Sequence, residues 1–432
     1  MKGFPPAVTI VIPTRDRPVA LARALHSLTR QDVPAADFEV VVVNDGSGEL
    51  PVAPADVERK LALRVVSNGG RGASAARNTG AAAARAPLLL FLDDDIEASP
   101  ALVRAHLEAH RRGASLTVGY LPALPAAATG FFAATLRNWW ETMFAEMRRP
   151  GHRFTFRDVL TGNCAIDAAL FRRAGAFDVS LACREDYELG ARAIGAGAQL
   201  AFCEAAQGIH HEVTTLERAL ERKRAEGRAD VAIIRKHPEL LQALPLGATV
   251  GSHGPVPRGF RKLPFTRRRA ASALATGLRR SLDLFEAARM RGRWHVRLYQ
   301  LLELAYWQGI ASEVGTLGAL AALVHGTARA DGRAWLWLRV DLCKGLSPAE
   351  RCVESVRPDA IAVFHRDETV GMISPWPGAE PLRGVHLRAA LAQTLAPPLL
   401  ASLGRAGEIG VEQHGGRLVT SGPLPRGPFN PR

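Results

Sequence analysis

Residues 88–95 read LLLFLDDD. Five consecutive apolar residues indicate a short strand buried on both faces, as in a parallel sheet. The three carboxylates that follow mark the end of this strand. Open α/β sheets bind ligands at the carboxyl ends of their strands. The stretch therefore predicts both a class of fold and the place of a ligand site.

The sequence before this stretch repeats the same arrangement. Short β-branched runs predict strands at 8–12, 38–43 and 63–66, and Ala- and Leu-rich stretches between them predict helices at 18–28 and 72–85. This alternation is typical of βαβ units and a parallel sheet. Polar clusters again follow the first two strands, and they are Pro13-Thr14-Arg15 and Asn44-Asp45-Gly46-Ser47. We expect both clusters near the three aspartates.

Composition restricts the class of protein. The chain has 432 residues, of which 47% are hydrophobic and 22% charged, so it can form two or three domains with real cores. Its five cysteines are widely spaced and fit neither a disulfide framework nor a zinc or redox motif. We find no signal peptide pattern and no uninterrupted apolar run of about 18 residues. These features predict a cytoplasmic protein that does not span a membrane.

The predicted domain organisation has four parts. Residues 1–245 form the catalytic α/β domain, 246–265 a Pro/Gly-rich linker, 266–328 a basic amphipathic helical segment and 329–432 a small α/β module of unknown role.

The formal net charge is +13. Between residues 258 and 300, twelve Lys and Arg face only two acids, Asp283 and Glu286. This segment either contacts the anionic inner face of the plasma membrane or is a soluble Arg-rich extension. Its few aromatic residues are not interleaved with the basic ones in the way that nucleic-acid binding favours, so no nucleic acid is expected.

Residues 122–157 break the regular pattern of the catalytic domain. Phe131, Phe132, Trp139 and Trp140 lie here among basic residues. We predict an irregular lid or acceptor-side insertion. The alternative is a Trp-rich packing cluster under a loop.

The cluster Asp93-Asp94-Asp95 carries the clearest chemical signal. Adjacent carboxylates repel one another unless a cation lies between them. Hard oxygen ligands suit Mg²⁺ or Mn²⁺, which keep coordination positions for substrate phosphates. The cluster thus predicts a metal that bridges a pyrophosphate, although an acidic turn capping the next helix is the alternative.

Two further segments are expected at the same site. Asp45, at the end of its strand, is placed to accept hydrogen bonds from a nucleoside, or else only forms an Asx-turn. Residues 72–78 read GASAARN. They offer small residues, a helix N-terminus and one cation, Arg77, for phosphate charge, although a lone helical Arg is usually a surface residue.

Taken in order, these stretches resemble the family 2 glycosyltransferases. The matching segments are VTIVIPTRDRP, VVVNDGS, GASAARNTG, FLDDDI, TGNCAIDAALFRRAGAFD, REDYELGARAIGAG and the pair His210-His211. The resemblance implies a GT-A-type, Rossmann-like, mostly parallel sheet flanked by helices. It also implies a nucleotide-diphosphate sugar donor and a divalent metal, Mg²⁺ or Mn²⁺, held by Asp93 and Asp95.

The resemblance assigns roles to further residues. Pro13, Thr14, Asp45 and Asn78 would lie against the nucleoside, with Arg15, Arg77 and Asp94 also at the donor. Gly162 and Asn163 would line the pocket under the donor sugar, although Asn163 can instead cap a helix. His210 would add a metal ligand, with His211 as its rival.

Glu185 and Asp186 complete the predicted site. Inversion at an anomeric carbon needs a carboxylate that removes the acceptor proton. By resemblance this base is Asp186, with Glu185 orienting it or binding the acceptor. In the alternative, both acids only pair with Arg184 and Arg192 on a helix surface.

The predicted activity is transfer of a sugar to a hydroxyl of a glycan, lipid-linked or cell-envelope acceptor. Two other functions stay open. One is a nucleotidyltransferase of related fold, which would be expected to carry a Gly-rich phosphate loop where this chain has Pro13-Thr14-Arg15-Asp16-Arg17. The other is a non-catalytic protein that binds carbohydrate or polyanions.

Overall fold

The computed structural model describes residues 5–46, 54–122, 130–211, 214–247, 258–330, 334–408, 411–414 and 417–420. The chain divides into two compact units. The first comprises residues 1–147 and 155–331, and the second comprises 148–154 and 332–432. The boundaries at 245 and 265, predicted from sequence, stay predictions.

The first unit is built on an eight-stranded sheet. Its strands are β1 (Val8–Thr14), β2 (Phe38–Asn44), β3 (Leu63–Ser67), β4 (Leu88–Leu92), β5 (Ile96–Ala98), β6 (Leu116–Tyr120), β7 (Asn163–Asp167) and β8 (Leu200–His210). Their order is β3-β2-β1-β4-β7-β6-β8-β5. Strands β3, β2, β1 and β4 run parallel to one another, and β6 runs parallel to β8. Strand β7 is antiparallel to its neighbours β4 and β6, and β5 is antiparallel to β8. The predicted α/β class with a mostly parallel sheet is confirmed.

Helices surround this sheet. They are α1 (Pro18–Leu28), α2 (Ala55–Glu58), α3 (Ala73–Ala83), α4 (Leu102–Arg111), α5 (Phe131–Arg148), α6 (Ala168–Arg173), α7 (Glu185–Gly195) and α8 (Leu216–Lys236). The apolar residues of β1, β2 and β4 are almost completely buried. Continuous apolar runs therefore form the strands that are covered on both faces, as expected for parallel pairing.

The prediction of irregular structure for 122–157 is wrong for half of that range. Residues 131–148 form the 18-residue helix α5, while 123–129 lie outside the described residues. Phe144 is buried, and its ring lies 5.1 Å from Tyr120 and 5.8 Å from Phe202. Trp139 is exposed. Of the aromatic residues that suggested an insertion, Phe131 and Phe132 pack against the helical cluster around Trp294, and Trp140 stacks on Phe144.

The basic segment is helical, as predicted. It forms α9 (Arg258–Thr266), α10 (Arg268–Ala287), α11 (Arg291–Val314) and α12 (Leu317–Ala330). Helix α9 falls largely within the linker predicted at 246–265, of which 248–257 lie outside the described residues. Leu278, Leu282 and Trp294 are buried in one cluster with Leu220 of α8. The apolar face of the segment therefore packs against helices of the first unit.

Among the described residues, no single helix is long and apolar enough to cross a bilayer. Helices Arg291–Val314 and Leu317–Thr327, bent by 87° where they meet, pass that test only as a pair.

The second unit is a small α/β module. Strands β9 (Trp337–Asp341), β10 (Ala360–His365) and β11 (Glu368–Ile373) form a sheet in the order β11-β10-β9. Its helices are α13 (Leu346–Val356), α14 (Gly384–Ala392) and α15 (Ala396–Arg405), and β12 (Val411–His414) pairs with β13 (Arg417–Thr420). Strands β10 and β11 pair as an antiparallel hairpin. Arg153, from the short segment 148–154, donates to the carbonyls of Asp359, Ser374 and Glu380.

Candidate active site

The carboxyl ends of β1, β2 and β4 meet at one edge of the sheet. Thr14 Oγ1 donates to Asp94 Oδ2 at 2.7 Å, and the Asp45 amide donates to the Thr14 carbonyl at 2.8 Å. The structure thus brings together the polar clusters that follow these three strands. Because parallel strands end on the same side, sequence alone was enough to predict this meeting point.

Two arginines form ion pairs with the three aspartates and reduce the repulsion between the carboxylates. Arg17 donates to Asp94 Oδ1 at 2.9 Å and to Asp95 Oδ2 at 2.8 Å. Arg77, which is buried, donates to Asp93 Oδ1 at 2.8 Å. Side chains therefore supply much of the positive charge that the acidic cluster requires.

The sequence had pointed to Arg15, whereas the structure places Arg17 on the aspartates. Arg15 is exposed. Both arginines follow β1, and no pattern in the motif distinguishes them. Asp16 adopts a left-handed conformation with φ of 55°, so the chain turns between the two arginines. Asp adopts this conformation more often than most residues, but its presence alone does not establish that the chain turns here.

The neighbouring carboxyls have different pKa values. Burial raises the pKa of Asp94 to about 6, against the lowering effects of Thr14 and Arg17. Burial would also raise the pKa of Asp95, but hydrogen bonding and charge from His210 and Arg17 lower it to about 2. Asp95 is therefore ionised throughout the neutral range, as a ligand for a cation must be.

The structure distinguishes the two candidate histidines. Strand β5 pairs with β8 so that Ile96 lies opposite His210. His210 Nε2 consequently lies 3.3 Å from Asp95 Oδ1, whereas His211 Nε2 lies 2.9 Å from Glu97 Oε2. His210 is thus the one whose side chain contacts the acidic cluster, whereas His211 reaches it only through its backbone amide, which donates to the Asp95 carbonyl at 3.0 Å. The three-residue strand β5, which the sequence pattern did not reveal, decides the choice.

A divalent metal fits part of this site. Asp95 Oδ1 is buried and accepts no hydrogen bond of good geometry in the described part of the chain, although His210 Nε2 is close. Asp93 is 35% exposed at its side chain and can turn toward a ligand. The described residues contain no preformed group of three or more metal-ligating side chains. Mg²⁺ commonly takes only one or two carboxylates and completes its shell with substrate phosphates and water.

Asp45 is held by the loop that leads into α3. Its Oδ1 accepts hydrogen bonds from Asn68 Nδ2 at 2.5 Å and from the Gly72 amide at 2.9 Å. Pro13 lies half-buried next to Thr14 in β1. Asn68 was not among the residues selected from sequence, because a single Asn after a strand reads as an ordinary turn residue.

Two predicted ligand-binding asparagines have partners inside the protein. The Asn78 side chain exchanges two 2.9 Å hydrogen bonds with the backbone of Phe177. Asn163 is 1% exposed, donates to the Ala206 carbonyl at 2.8 Å and faces His106 Nε2 at 3.0 Å. Since Asn163 begins β7, the helix-cap alternative is wrong. In this structure both amides fasten elements of the fold together.

Gly162 lies directly under the acidic cluster. Its carbonyl accepts a hydrogen bond from the Asp93 amide at 3.0 Å. A Cβ at this position would come within 3.0 Å of Asp93 Oδ2. The absence of a side chain therefore leaves room for the Asp93 carboxylate.

Glu185 and Asp186 begin helix α7 and lie beside the acidic cluster. Arg77 Nη1 donates to Glu185 Oε1 at 3.0 Å while its other terminal nitrogen binds Asp93. Burial and, next, the charge of Glu185 raise the pKa of Asp186 to about 7. Asp186 thus has the proton affinity expected of a general base that works near neutral pH.

The proposal that Arg184 and Arg192 pair with these two acids is wrong. Arg192 binds Glu188, and Arg184 binds Glu226 and Asp230 on α8. Arg77 is the partner of Glu185 instead. The acid pair is therefore part of the site and is not a surface ion pair of α7.

Residues 9–175 match the sequence model of glycosyl transferase family 2, so this part of the chain is similar to that family. The chain is 32% identical over 278 residues to validoxylamine A glucosyltransferase of Streptomyces hygroscopicus subsp. jinggangensis, an alignment that covers 55% of this chain and 63% of the relative. It thus spans less than two thirds of that relative's length. Over 101 residues it is 36% identical to the uncharacterized glycosyltransferase EpsJ of Bacillus subtilis, covering 22% of this chain and 28% of the relative.

Solved structures also align with the chain. One is a mannosyltransferase of Pyrobaculum calidifontis in complex with GDP-Man and Mn²⁺, with 18% identity, a TM-score of 0.42 and coverage of 76% of this chain and 81% of that one. Another is residues 1–349 of S. aureus TarS with UDP-GlcNAc, with 16% identity, a TM-score of 0.43 and coverage of 72% and 92%.

Proposed function

We propose that this protein is an inverting glycosyltransferase that moves a sugar from a nucleotide-diphosphate donor to a hydroxyl of a glycan, lipid-linked or cell-envelope acceptor. One observation carries the proposal. Buried Arg77 binds Asp93 with one terminal nitrogen and Glu185 with the other, so the acidic cluster and the acid pair share one site. This arrangement supports adjacent places for a diphosphate and for an attacking hydroxyl.

The proposed reaction is a single displacement. Asp186 accepts the proton of the acceptor hydroxyl while that oxygen forms a bond to the anomeric carbon. The bond between the anomeric carbon and the diphosphate oxygen breaks at the same time, and the nucleoside diphosphate departs with that electron pair. Attack opposite the leaving group inverts the anomeric centre, and no sugar–enzyme bond forms.

Two arginines of this chain supply positive charge at the proposed donor site. Arg17 lies on Asp94 and Asp95, and Arg77 on Asp93, where both cations can interact with a diphosphate. A bound Mg²⁺ or Mn²⁺, for which Asp93, Asp95 and His210 are the proposed ligands, would offset further negative charge on the leaving diphosphate. Asp45 and Thr14 are the proposed nucleoside-side contacts.

The transferred group is proposed to be a hexosyl group. The 32% identical relative is named as a glucosyltransferase, which supports this choice. The cytoplasmic location stays a prediction. So does contact of residues 258–300 with an anionic membrane surface, although the burial of Leu278 and Leu282 removes part of the apolar face that such contact would use.

The test is calorimetric titration of the full chain with nucleoside diphosphates and nucleotide sugars, with and without Mn²⁺. We expect metal-enhanced binding of one nucleotide that is lost in Asp93→Ala and Asp95→Ala. Asp283→Ala, which changes an exposed aspartate of α10, is the matched control. If no nucleotide binds in either condition, the proposal fails and binding of polyanions becomes the leading function.

Product analysis separates the proposal from the nucleotidyltransferase alternative. A glycosyltransferase releases a nucleoside diphosphate from the sugar nucleotide. A nucleotidyltransferase instead joins a sugar phosphate to a nucleoside triphosphate and releases pyrophosphate from the triphosphate. Detection of pyrophosphate alone would contradict the proposal.

A further inference from the structure

A buried polar network joins the start of α7 to the helical extension. Arg184, immediately before the acid pair, has its guanidinium bound to Glu226 at 3.0 Å and to Asp230, both on α8. Tyr306 of α11 donates its hydroxyl to the other oxygen of Asp230 at 2.5 Å. Arg184, Glu226 and Asp230 are at most about a tenth exposed at their side chains. The network therefore lies in the interior of the first unit.

The backbone at Arg184 adds a constraint of its own. Its φ of 59° and ψ of 23° place it in the left-handed region, which is unfavourable for a residue with a side chain. Such a conformation persists only where surrounding contacts hold it. Here the contacts are the two carboxylates of α8 and the Tyr187 ring, which lies 5.2 Å from the guanidinium.

Helices α8 and α11 approach closely at the level of this network. A Cβ on Gly227 of α8 would lie 2.2 Å from the Tyr306 carbonyl oxygen. A Cβ on Gly309 of α11 would lie 2.0 Å from the Arg224 carbonyl oxygen. The two glycines let the backbones of the two helices pack against each other, and this close packing fixes the position of Tyr306 along α11 relative to Asp230 on α8.

We propose that Arg184, Asp230 and Tyr306 are positioning residues for the acid pair, so that the helical extension sets the orientation of Glu185 and Asp186 in the active site. This inference rests on the proposed function, in which Asp186 removes the acceptor proton. Arg184 touches neither reacting group in this scheme. It acts by fixing where α7 begins, and the first two residues of α7 are Glu185 and Asp186.

Charged and titratable groups surround Asp186 from several elements. Glu185 and Tyr187 belong to α7, Arg77 to α3, Arg222 to α8 and Cys164 to β7. A small rotation at the start of α7 changes the distances from Asp186 to all of them. A displaced Asp186 that gains access to solvent would lose part of the burial that raises its pKa.

The experiment compares Tyr306→Phe and Arg184→Lys with a matched control, Arg261→Lys. Tyr306→Phe removes one hydroxyl, and Arg184→Lys keeps the charge but cannot bind two carboxylates through a planar fork. The control alters the ion pair of Arg261 and Glu303, at 2.7 Å, which joins α9 to α11 and is largely buried. Thermal melting of all three variants reports any general loss of stability.

We expect kcat to fall roughly ten-fold for Tyr306→Phe and on the order of a hundred-fold for Arg184→Lys, because small misplacements of a catalytic group have effects of this size. The donor KM should change less than about two-fold, since Arg77 binds Asp93 directly and helix α7 supplies only one of the two partners of Arg77. The acid limb of the pH–rate profile should move to lower pH in both variants. Arg261→Lys should alter none of these quantities.

A second readout needs no turnover. In protein labelled with ¹³C at aspartate carboxyls, the Asp186 signal is assigned by its loss in Asp186→Asn. Its pKa should fall from about 7 toward the ordinary aspartate range in Tyr306→Phe and Arg184→Lys, but not in the control. If the pKa and kcat stay at wild-type values in both variants while melting changes as in the control, the network is only structural and the inference is overturned. Absence of sugar transfer by the wild type would instead contradict the proposed function, while the titration would still decide the inference.

Discussion

At the scale of single residues, the site depends on how one buried arginine is shared. Burial alone would lower the pKa of Arg77, but the charges of Asp93 and Glu185 raise it. Arg77 therefore stays cationic beneath the proposed diphosphate position. Its Nε atom is buried without a hydrogen-bond partner in the described structure, so the side chain is committed to the two acids through its terminal nitrogens.

Replacing Asp186 by Asn should strongly slow transfer without affecting donor binding. The amide cannot accept the acceptor proton, and general bases contribute roughly 10²- to 10⁴-fold to rate. We expect kcat to fall within that range while calorimetric donor affinity stays at the wild-type value. Asp283→Asn, at an exposed site of α10, serves as the control. Full activity of Asp186→Asn would show that another group takes the proton.

The pH dependence of transfer follows from the same carboxyl. Burial and the charge of Glu185 raise the Asp186 pKa to about 7, and only its ionised form acts as a base. The rate should therefore be low below pH 7, rise through that value and level off above it. Initial rates at saturating acceptor, measured from pH 5 to 9, test this expectation. An acid limb centred near the ordinary aspartate value would contradict it.

At the scale of elements, helix pairs decide where the catalytic side chains are held. Helix α8 packs against α11 through Gly227 and Gly309, and α7 is tied to α8 through Arg184. Short strand β5 places His210 beside Asp95. Each of these contacts joins segments that are far apart in the chain.

Gly227→Ala should destabilise the first unit. The added methyl group would meet the Tyr306 carbonyl and force α8 and α11 apart, and such overpacking costs about 1–3 kcal/mol. The matched control is Gly277→Ala in α10, where a Cβ meets nothing within 4 Å. There the better helix propensity of Ala should leave the free energy of unfolding unchanged or raise it by up to about 1 kcal/mol. Denaturant titration of both variants checks the contrast, and equal effects would refute it.

At the scale of the whole molecule, the two units are not simply consecutive in sequence. Residues 148–154 belong to the second unit, although the chain on both sides of them belongs to the first. Arg153 supplies three hydrogen bonds to backbone carbonyls of the second unit, at 2.9, 3.2 and 3.0 Å. The second unit is therefore incomplete without a segment that precedes it by almost two hundred residues.

Arg153→Met should selectively weaken the second unit. The substitution leaves the carbonyls of Asp359, Ser374 and Glu380 without their donor. A hydrogen bond to a charged group contributes about 1.5–3 kcal/mol net, and water can replace the exposed bond at Ser374. We expect a net loss of about 3 kcal/mol, seen as faster hydrogen exchange in 360–373. Arg351→Met, at an exposed position of α13, is the control. Unchanged exchange in Arg153→Met would contradict the role of this segment.

The sequence by itself determined the sheet, its strand ends and the chemistry collected there. Continuous apolar runs such as Leu88–Leu92 specify buried strands, and parallel strands present their ends at one edge, so Thr14, Asp45 and Asp93 had to meet. The resemblance to a known family supplied Asp186 and His210 as candidates. These inferences rest on local patterns and on the order of motifs along the chain.

Only the tertiary structure decided how the charges are paired. The choice of Arg17 over Arg15, the bridge made by Arg77 and the attachment of Arg184 to α8 depend on contacts between distant segments. Helix α5 was likewise not predicted. Its orientation depends on the packing of Phe144 against Phe202 of the sheet, a contact that the local sequence pattern does not show. Local periodicity specifies an element, but the partner of a buried charge is fixed by the packing that encloses it, where an unpaired ion would be costly.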